Sequence, residues 1–221
     1  MNRRVAIALL CTLTCAAFTQ TASRPQESSG ASLVWKPIPV MDLDVLPKAT
    51  VPKLMITKLR VSDLTIVLEQ TELEAVQAHF GGEIGSEGDA SKSLGWLCLH
   101  GSDAVGRWVL WLESGEIDGP TVGGFQWRRV PDAVQFDERC RRLPDASSNV
   151  EMPIELRLGA TETKVLQILG QPTVRKGDTL IYAHDHEESI HNEPYTSTNT
   201  VTVVLRHGGV WAIEVHKTTL S

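Results

Sequence analysis

The stretch His184-Asp185-His186-Glu187-Glu188-Ser189-Ile190-His191-Asn192-Glu193 carries the densest set of metal-ligating side chains in the chain. On a strand, His184 and His186 point to one face, and His191 could complete a set of three from a following loop. Neutral imidazoles flanked by carboxylates suit Zn²⁺ or Cu²⁺. The spacing is not that of the helical His-Glu-x-x-His motif, because His191 follows His186 one residue too late to share a helical face with it. The plain alternative is a solvated loop, closed by Asn192-Glu193-Pro194, between two strands.

Other chemistry is thinner. Ser102, in His100-Gly101-Ser102-Asp103, is not in a Gly-x-Ser-x-Gly elbow, so a Ser/His hydrolase is the weaker alternative. Gly81-Gly82, Gly101 and Gly123-Gly124 lack phosphate-loop spacing. Arg128, Arg129, Arg139, Arg141 and Arg142 form a local basic run that a solvated joiner explains as well as an anionic surface does. Six tryptophans stand against two tyrosines. Trp108 and Trp111 are three apart on one candidate strand and so face opposite sides of it. One is expected in the core. The other is either an exposed partner-binding anchor or buried on a second side, against residues 33–53 or the other half of the chain.

Two stretches supply elements to position these groups. Leu64/Ile66/Leu68 and Ile154/Leu156/Leu158 alternate as half-buried strands do. Each is followed by Thr-Glu, then by a helical face (Val76 and Phe80; Val165 and Leu169), then by Gly81-Gly82 or Gly170-Gln171-Pro172 as a stop. Thr71 with Glu74 reads as a capping box, whereas Thr161 reads as a cap alone. Candidate strands follow at 94–100, 107–113 and 122–129, and again at 179–184, 199–206 and 210–216, with Gly208-Gly209 as a hairpin signal. The expected fold is α+β, as two degenerate tandem units, each a helix packed on a small antiparallel sheet. Residues 54–148 form the first unit with its joiner, and residues 149–221 the second.

Leu158-Gly159-Ala160-Thr161, Val165, Leu169-Gly170-Gln171-Pro172-Thr173, Tyr182, Val201–Leu205 and Val210–Val215 together resemble the SmpA/OmlA domain, found in a small lipoprotein of the outer-membrane barrel-assembly machine and in related envelope proteins. The resemblance covers residues 154–217. Tandem helix-plus-sheet units of this size are also similar to the secreted β-lactamase inhibitory proteins. Both similarities imply a non-enzymatic envelope or secreted protein with a helix packed on an antiparallel sheet.

The amino-terminal residues agree with that address. Met1-Asn2-Arg3-Arg4 and the apolar run Val5 to Phe18 read as a signal peptide over residues 1–22, with lipidation at Cys15 as a minor alternative that would bring membrane contact. Residues 23–53 read as a linker and a proline-bearing extended segment. Without residues 1–22 the chain has 19 basic and 27 acidic residues, a net charge of -8. That disfavours nucleic acid as a partner. Two cysteines then remain, Cys98 and Cys140, and in an exported chain they read as a disulfide. With 42% hydrophobic and 22% charged residues the chain can bury a core. The expectation is a periplasmic or secreted, non-enzymatic module that binds an envelope or secreted protein without a cofactor. The alternative is a periplasmic metal-binding protein using His184, His186 and His191.

Overall fold

The computed structural model describes residues 33–37, 55–89, 93–115, 118–145, 148–190 and 193–220. The expected signal peptide with Cys11 and Cys15, residues 23–32, most of the proline-bearing segment and His191 lie outside the described residues. Those described run β1 (Leu33–Val34), β2 (Lys58–Val61), β3 (Leu64–Val67), α1 (Leu73–Phe80), β4 (Ile84–Glu87), β5 (Leu94–Asp103), β6 (Gly106–Gly115) and β7 (Gly124–Arg129). They continue with β8 (Gln135–Phe136), β9 (Arg141–Arg142), β10 (Val150–Glu151), α2 (Glu162–Leu169), β11 (Val174–Lys176), β12 (Thr179–Ile190), β13 (Glu193–Arg206) and β14 (Gly209–Leu220).

The α+β expectation of two helix-on-sheet units is not what forms. Strands take 54% and helices 11% of the described residues, so what is described is mostly β. One antiparallel path runs β11-β12-β13-β14-β7-β6-β5-β4, with β9 beside β5, and a small sheet β10-β2-β3 lies apart. The join is β14 on β7, from Ala212↔Arg128 to His216↔Gly124. A four-stranded meander left alone exposes two edges, and pairing the two last strands removes one from each. Strand length also exceeds expectation: β12, β13 and β14 have 12, 14 and 12 residues. The β-branched run Thr196, Thr198, Thr200, Val201 favours a pleated strand where polarity alone suggested loop.

Local rules explain most element ends. Arg206↔Gly209 closes β13–β14 over His207 and Gly208, both at positive φ (52° and 78°). Two such residues make the tight turn whose twist suits a hairpin. Thr161 caps α2 by accepting from the Lys164 N–H at 3.3 Å. The capping box expected at Thr71 and Glu74 is absent. Thr71 Oγ1 accepts from the Val67 N–H at 2.9 Å instead, closing the turn after β3, and Glu72 becomes the cap position. Ile154, Leu156 and Leu158 form no strand; Leu156 and Leu158 are buried from a chain of turns.

The main core lies between the large sheet and the layer of α1, α2 and β10-β2-β3. It takes Leu99, Trp108, Leu110, Phe125 and Trp127 from one meander, and Val201, Val203, Ile213 and Val215 from the other. A second core sits on the opposite face of β5 and β6, built from Trp35, Trp96, Cys98, Val109, Trp111 and Cys140. Here β1 pairs in parallel with β8, and the joiner returns over the sheet. The Cys98–Cys140 disulfide, with Cα atoms 4.6 Å apart, fixes it there. Changing both cysteines to Ala should cost roughly 4 kcal/mol in denaturant unfolding, the loop-entropy value for a closed loop of this size. An unchanged midpoint would show that the joiner holds without its clip.

Candidate functional site

Trp108 and Trp111 do face opposite sides of β6, as their spacing requires, but both are fully buried. The expectation of a solvent-facing anchor therefore fails. Trp108 meets Trp127 edge-on at 6.4 Å in the main core. Trp111 donates its indole N–H to the Trp35 carbonyl at 3.0 Å in the second core. The alternative, burial on a second side against residues 33–53, is what forms, with Trp35 as the cover.

The other expected sites divide in the same plain way. His184 and His186 share one face of β12, with ring centroids 6.2 Å apart. Burial first, then the neighbouring His186, hold the His184 imidazole below its usual range, against the opposing charge of Asp185. Among the described residues no three His, Cys, Asp or Glu side chains converge as a metal set. Ser102 points its hydroxyl at Asp145, 3.4 Å away, while His100 stacks on Phe136 at 3.9 Å. Burial, then Arg107 and Arg142, push His100 down to about 4, so it stays neutral. The basic run is dispersed: Arg129 pairs with Asp103 at 2.8 Å, and Arg139 with Asp137 at 2.7 Å.

The groups that do come together lie on the outer face of the sheet, where β6, β7 and β14 meet. Register places Gln126 opposite both Trp111 and Glu214, and Gly124 opposite both Glu113 and His216. His216 Nε2 is 3.0 Å from Glu214 Oε1 and 3.9 Å from Glu113 Oε2. A Cβ on Gly124 would fall 2.3 Å from His216 Nδ1, and one on Gly123 2.1 Å from the Asp118 carboxyl. The Gly123-Gly124 pair thus makes room for two polar side chains rather than for a phosphate. Glu113, Gln126, Arg128 and Glu214 are all buried, and Glu113 Oε1, Gln126 Oε1, Glu214 Oε2 and Arg128 Nε and Nη1 have no hydrogen-bond partner. Arg128 lies over the Trp211 ring at 4.5 Å and is held down to about 10, first by burial and then by Arg206.

Burial pushes Glu113 up to about 7, with the Glu214 charge adding to it and His216 opposing. For His216, burial opposes the charged ring, but the Glu214 hydrogen bond and the charges of Glu113, Glu214 and Asp118 outweigh it and raise its pKa. Sequence reasoning passed over this cluster, although Glu214 and His216 two apart on one candidate strand were a legible signal.

A further feature is the free edge of β12. The strand β11 pairs only with Thr179, Leu180 and Ile181. Ala183 gives its N–H to Thr173 Oγ1 at 3.1 Å. Beyond it, among the described residues, no strand lies on this side of β12 as far as Ile190, the other side being paired with β13.

No family model, curated protein or solved structure matches this chain. The resemblance of residues 154–217 to the SmpA/OmlA domain rests on its sequence pattern alone.

Two outcomes follow from the burial. Trp108→Ala and Trp111→Ala should each destabilise the protein by about 3–5 kcal/mol, the usual cost of emptying a buried indole site, measured by denaturant unfolding. A loss under about 1 kcal/mol for Trp111→Ala would mean that its face is open. The second concerns pH. Glu113 binds its proton more tightly folded than unfolded, so its contribution is complete below its ordinary value of 4.5 and is lost as pH rises to about 7. His216 acts in the same sense, losing its contribution as pH rises beyond 6.5 through its raised folded value. Glu113→Gln should therefore reduce the fall in stability between pH 5 and 8 by on the order of 1–3 kcal/mol. An unaltered pH profile would place Glu113 in water.

Proposed function

We propose that this chain is an exported, non-enzymatic protein-binding module of the cell envelope, and that it takes an extended segment of its partner as an added strand on the open edge of β12. The observation that carries the reading is that edge. In an antiparallel ladder alternate residues turn their N–H and C=O groups to opposite neighbours. Ala183 already points outward, to Thr173. The outward set therefore continues at Asp185, Glu187 and Ser189, while the even-numbered residues bond to β13. Such a row is a template for strand addition.

Charge narrows the partner. Asp185 and Glu187 are exposed on one face of the edge. An incoming segment bearing Lys or Arg at alternate positions complements them. The Cys98–Cys140 bond supports an oxidising address, since structural disulfides persist outside the reducing cytosol. A metal-binding role is the second reading, favoured by His184 and His186 on one face of β12.

The test uses proline as a backbone probe. Glu187→Pro removes an outward N–H and leaves the ladder to β13 intact, so it should weaken capture of the envelope partner at least about tenfold without lowering the melting temperature. Glu188→Pro removes an inward donor opposite Tyr195 and should destabilise the fold instead. If Glu187→Gln weakens capture as much as Glu187→Pro, the contact is one of charge and not of strand addition.

A further inference from the structure

The outer-face cluster at β6, β7 and β14 presents three buried acceptor oxygens that nothing in the protein satisfies: Glu113 Oε1, Gln126 Oε1 and Glu214 Oε2. Burying such an oxygen without a donor costs about 1–3 kcal/mol, and more when it carries charge. Three adjacent ones point to an absent donor. Gln126 matters most to this reading, because it is neutral and no argument from carboxylate clustering accounts for its bare oxygen. Register sets it directly across from Glu214 on β14, while Glu113 sits one pleat away on β6.

Charge specifies what the donor must be. The acidic groups around the cluster are Glu113, Glu214, Asp118 and Glu69; the basic ones are His216, Lys217 and Arg128. Lys217 is committed to Glu69 at 2.6 Å, and Asp118 accepts from the Gly115 N–H through Oδ2 at 2.9 Å while its Oδ1, off these strands, also lacks a partner. His216 spends Nε2 on Glu214 Oε1 at 3.0 Å and stays 3.9 Å from Glu113 Oε2, leaving Glu214 Oε2 and Glu113 Oε1 bare. Arg128 is turned toward the Trp211 ring. Two carboxyl groups thus face one imidazole, and above about pH 7, where Glu113 has given up its proton, one positive charge is lacking. A primary ammonium supplies that charge and three N–H donors, one for each oxygen. The His216 side chain, 31% exposed while Glu113 and Glu214 are 6% and 7%, marks where the cluster meets solvent.

We propose that Glu113, Gln126 and Glu214 form a binding site for a primary alkylammonium group. The site lies on the outer face at the centre of the sheet and is separate from the β12 edge, so it stands or falls independently of strand addition there.

Calorimetric titration of the full chain tests it with three probes: n-butylammonium, butyltrimethylammonium, and a lysine blocked at both its amino and carboxyl ends. The wild-type protein should bind n-butylammonium at least about tenfold more tightly than its trimethyl counterpart, which has the charge but no N–H. Gln126→Leu and Glu214→Gln should each weaken n-butylammonium at least about tenfold, the worth of a hydrogen bond to a charged group, while the melting temperatures confirm that both variants are folded. Binding of the blocked lysine as well would identify a protein side chain as the source of the ammonium; binding of n-butylammonium alone would identify a small amine. Equal affinity for the two butyl compounds, an affinity unchanged in both variants, or no binding at all overturns the site.

Discussion

The pairing of β14 with β7 decides what the rest of the protein can be. Five residue pairs join two meanders that would otherwise each need their own closure. Once joined, the strands present one broad inner face to α1, α2 and the small sheet, and a single core draws side chains from both halves of the chain. The same pairing creates the outer-face cluster, because Glu214 and His216 arrive on β14 while Glu113, Gly124 and Gln126 arrive on β6 and β7. Without the join the Glu113 carboxyl and the Gln126 amide would not meet the Glu214–His216 pair.

The two faces of this sheet are finished differently. Over β5 and β6 the outer face is apolar, sealed by Trp35, Trp96, Trp111 and a disulfide. On the next three strands, β7, β14 and β13, it turns polar, with Gln126, Glu214, Thr200 and Thr202 all buried. A polar group is kept in such a place at a cost in stability, and the cost is tolerable where the group has a use. The edge of β12 departs differently. It leaves main-chain donors open and surrounds them with charge, as edge strands do when indiscriminate pairing must be prevented.

Local patterns in the sequence located the six long strands and both helices, because alternation, glycine stops and turn residues are read over a few positions. The disulfide was legible from the two cysteines left once the amino-terminal residues are read as a signal peptide. What could not be read is whatever depends on partners far along the chain. Trp108 and Trp111 revealed opposite faces, and residues 33–53 were one of the covers considered, but nothing near the two rings decides for that cover over exposure. The α+β expectation failed for a related reason: the merging of the sheets is a matter of β7 against β14, and the short strands β2, β4, β10 and β11 are too brief to alternate visibly. Thr71 shows local chemistry with two outlets, since its hydroxyl closes the turn after β3 rather than capping α1. The outer-face cluster was half legible, in Glu214 and His216 spaced two apart, but only the cross-strand register brings Glu113 and Gln126 to them.

The covalent clip and the central join differ in what they require of the growing chain. The clip closes between β5 and the joiner, and its surrounding core of Trp35, Trp96, Val109 and Trp111 uses nothing beyond Cys140. The join must wait for β14, which follows β7 by roughly eighty residues and is therefore slow to find it by chain diffusion. Maturation accordingly has a built-in order. One half can be locked by oxidation while its inner face still lacks the strands that complete the core, and that unfinished face is exposed until β14 docks. A chain made this way benefits from a chaperone that covers the unfinished face until β14 docks.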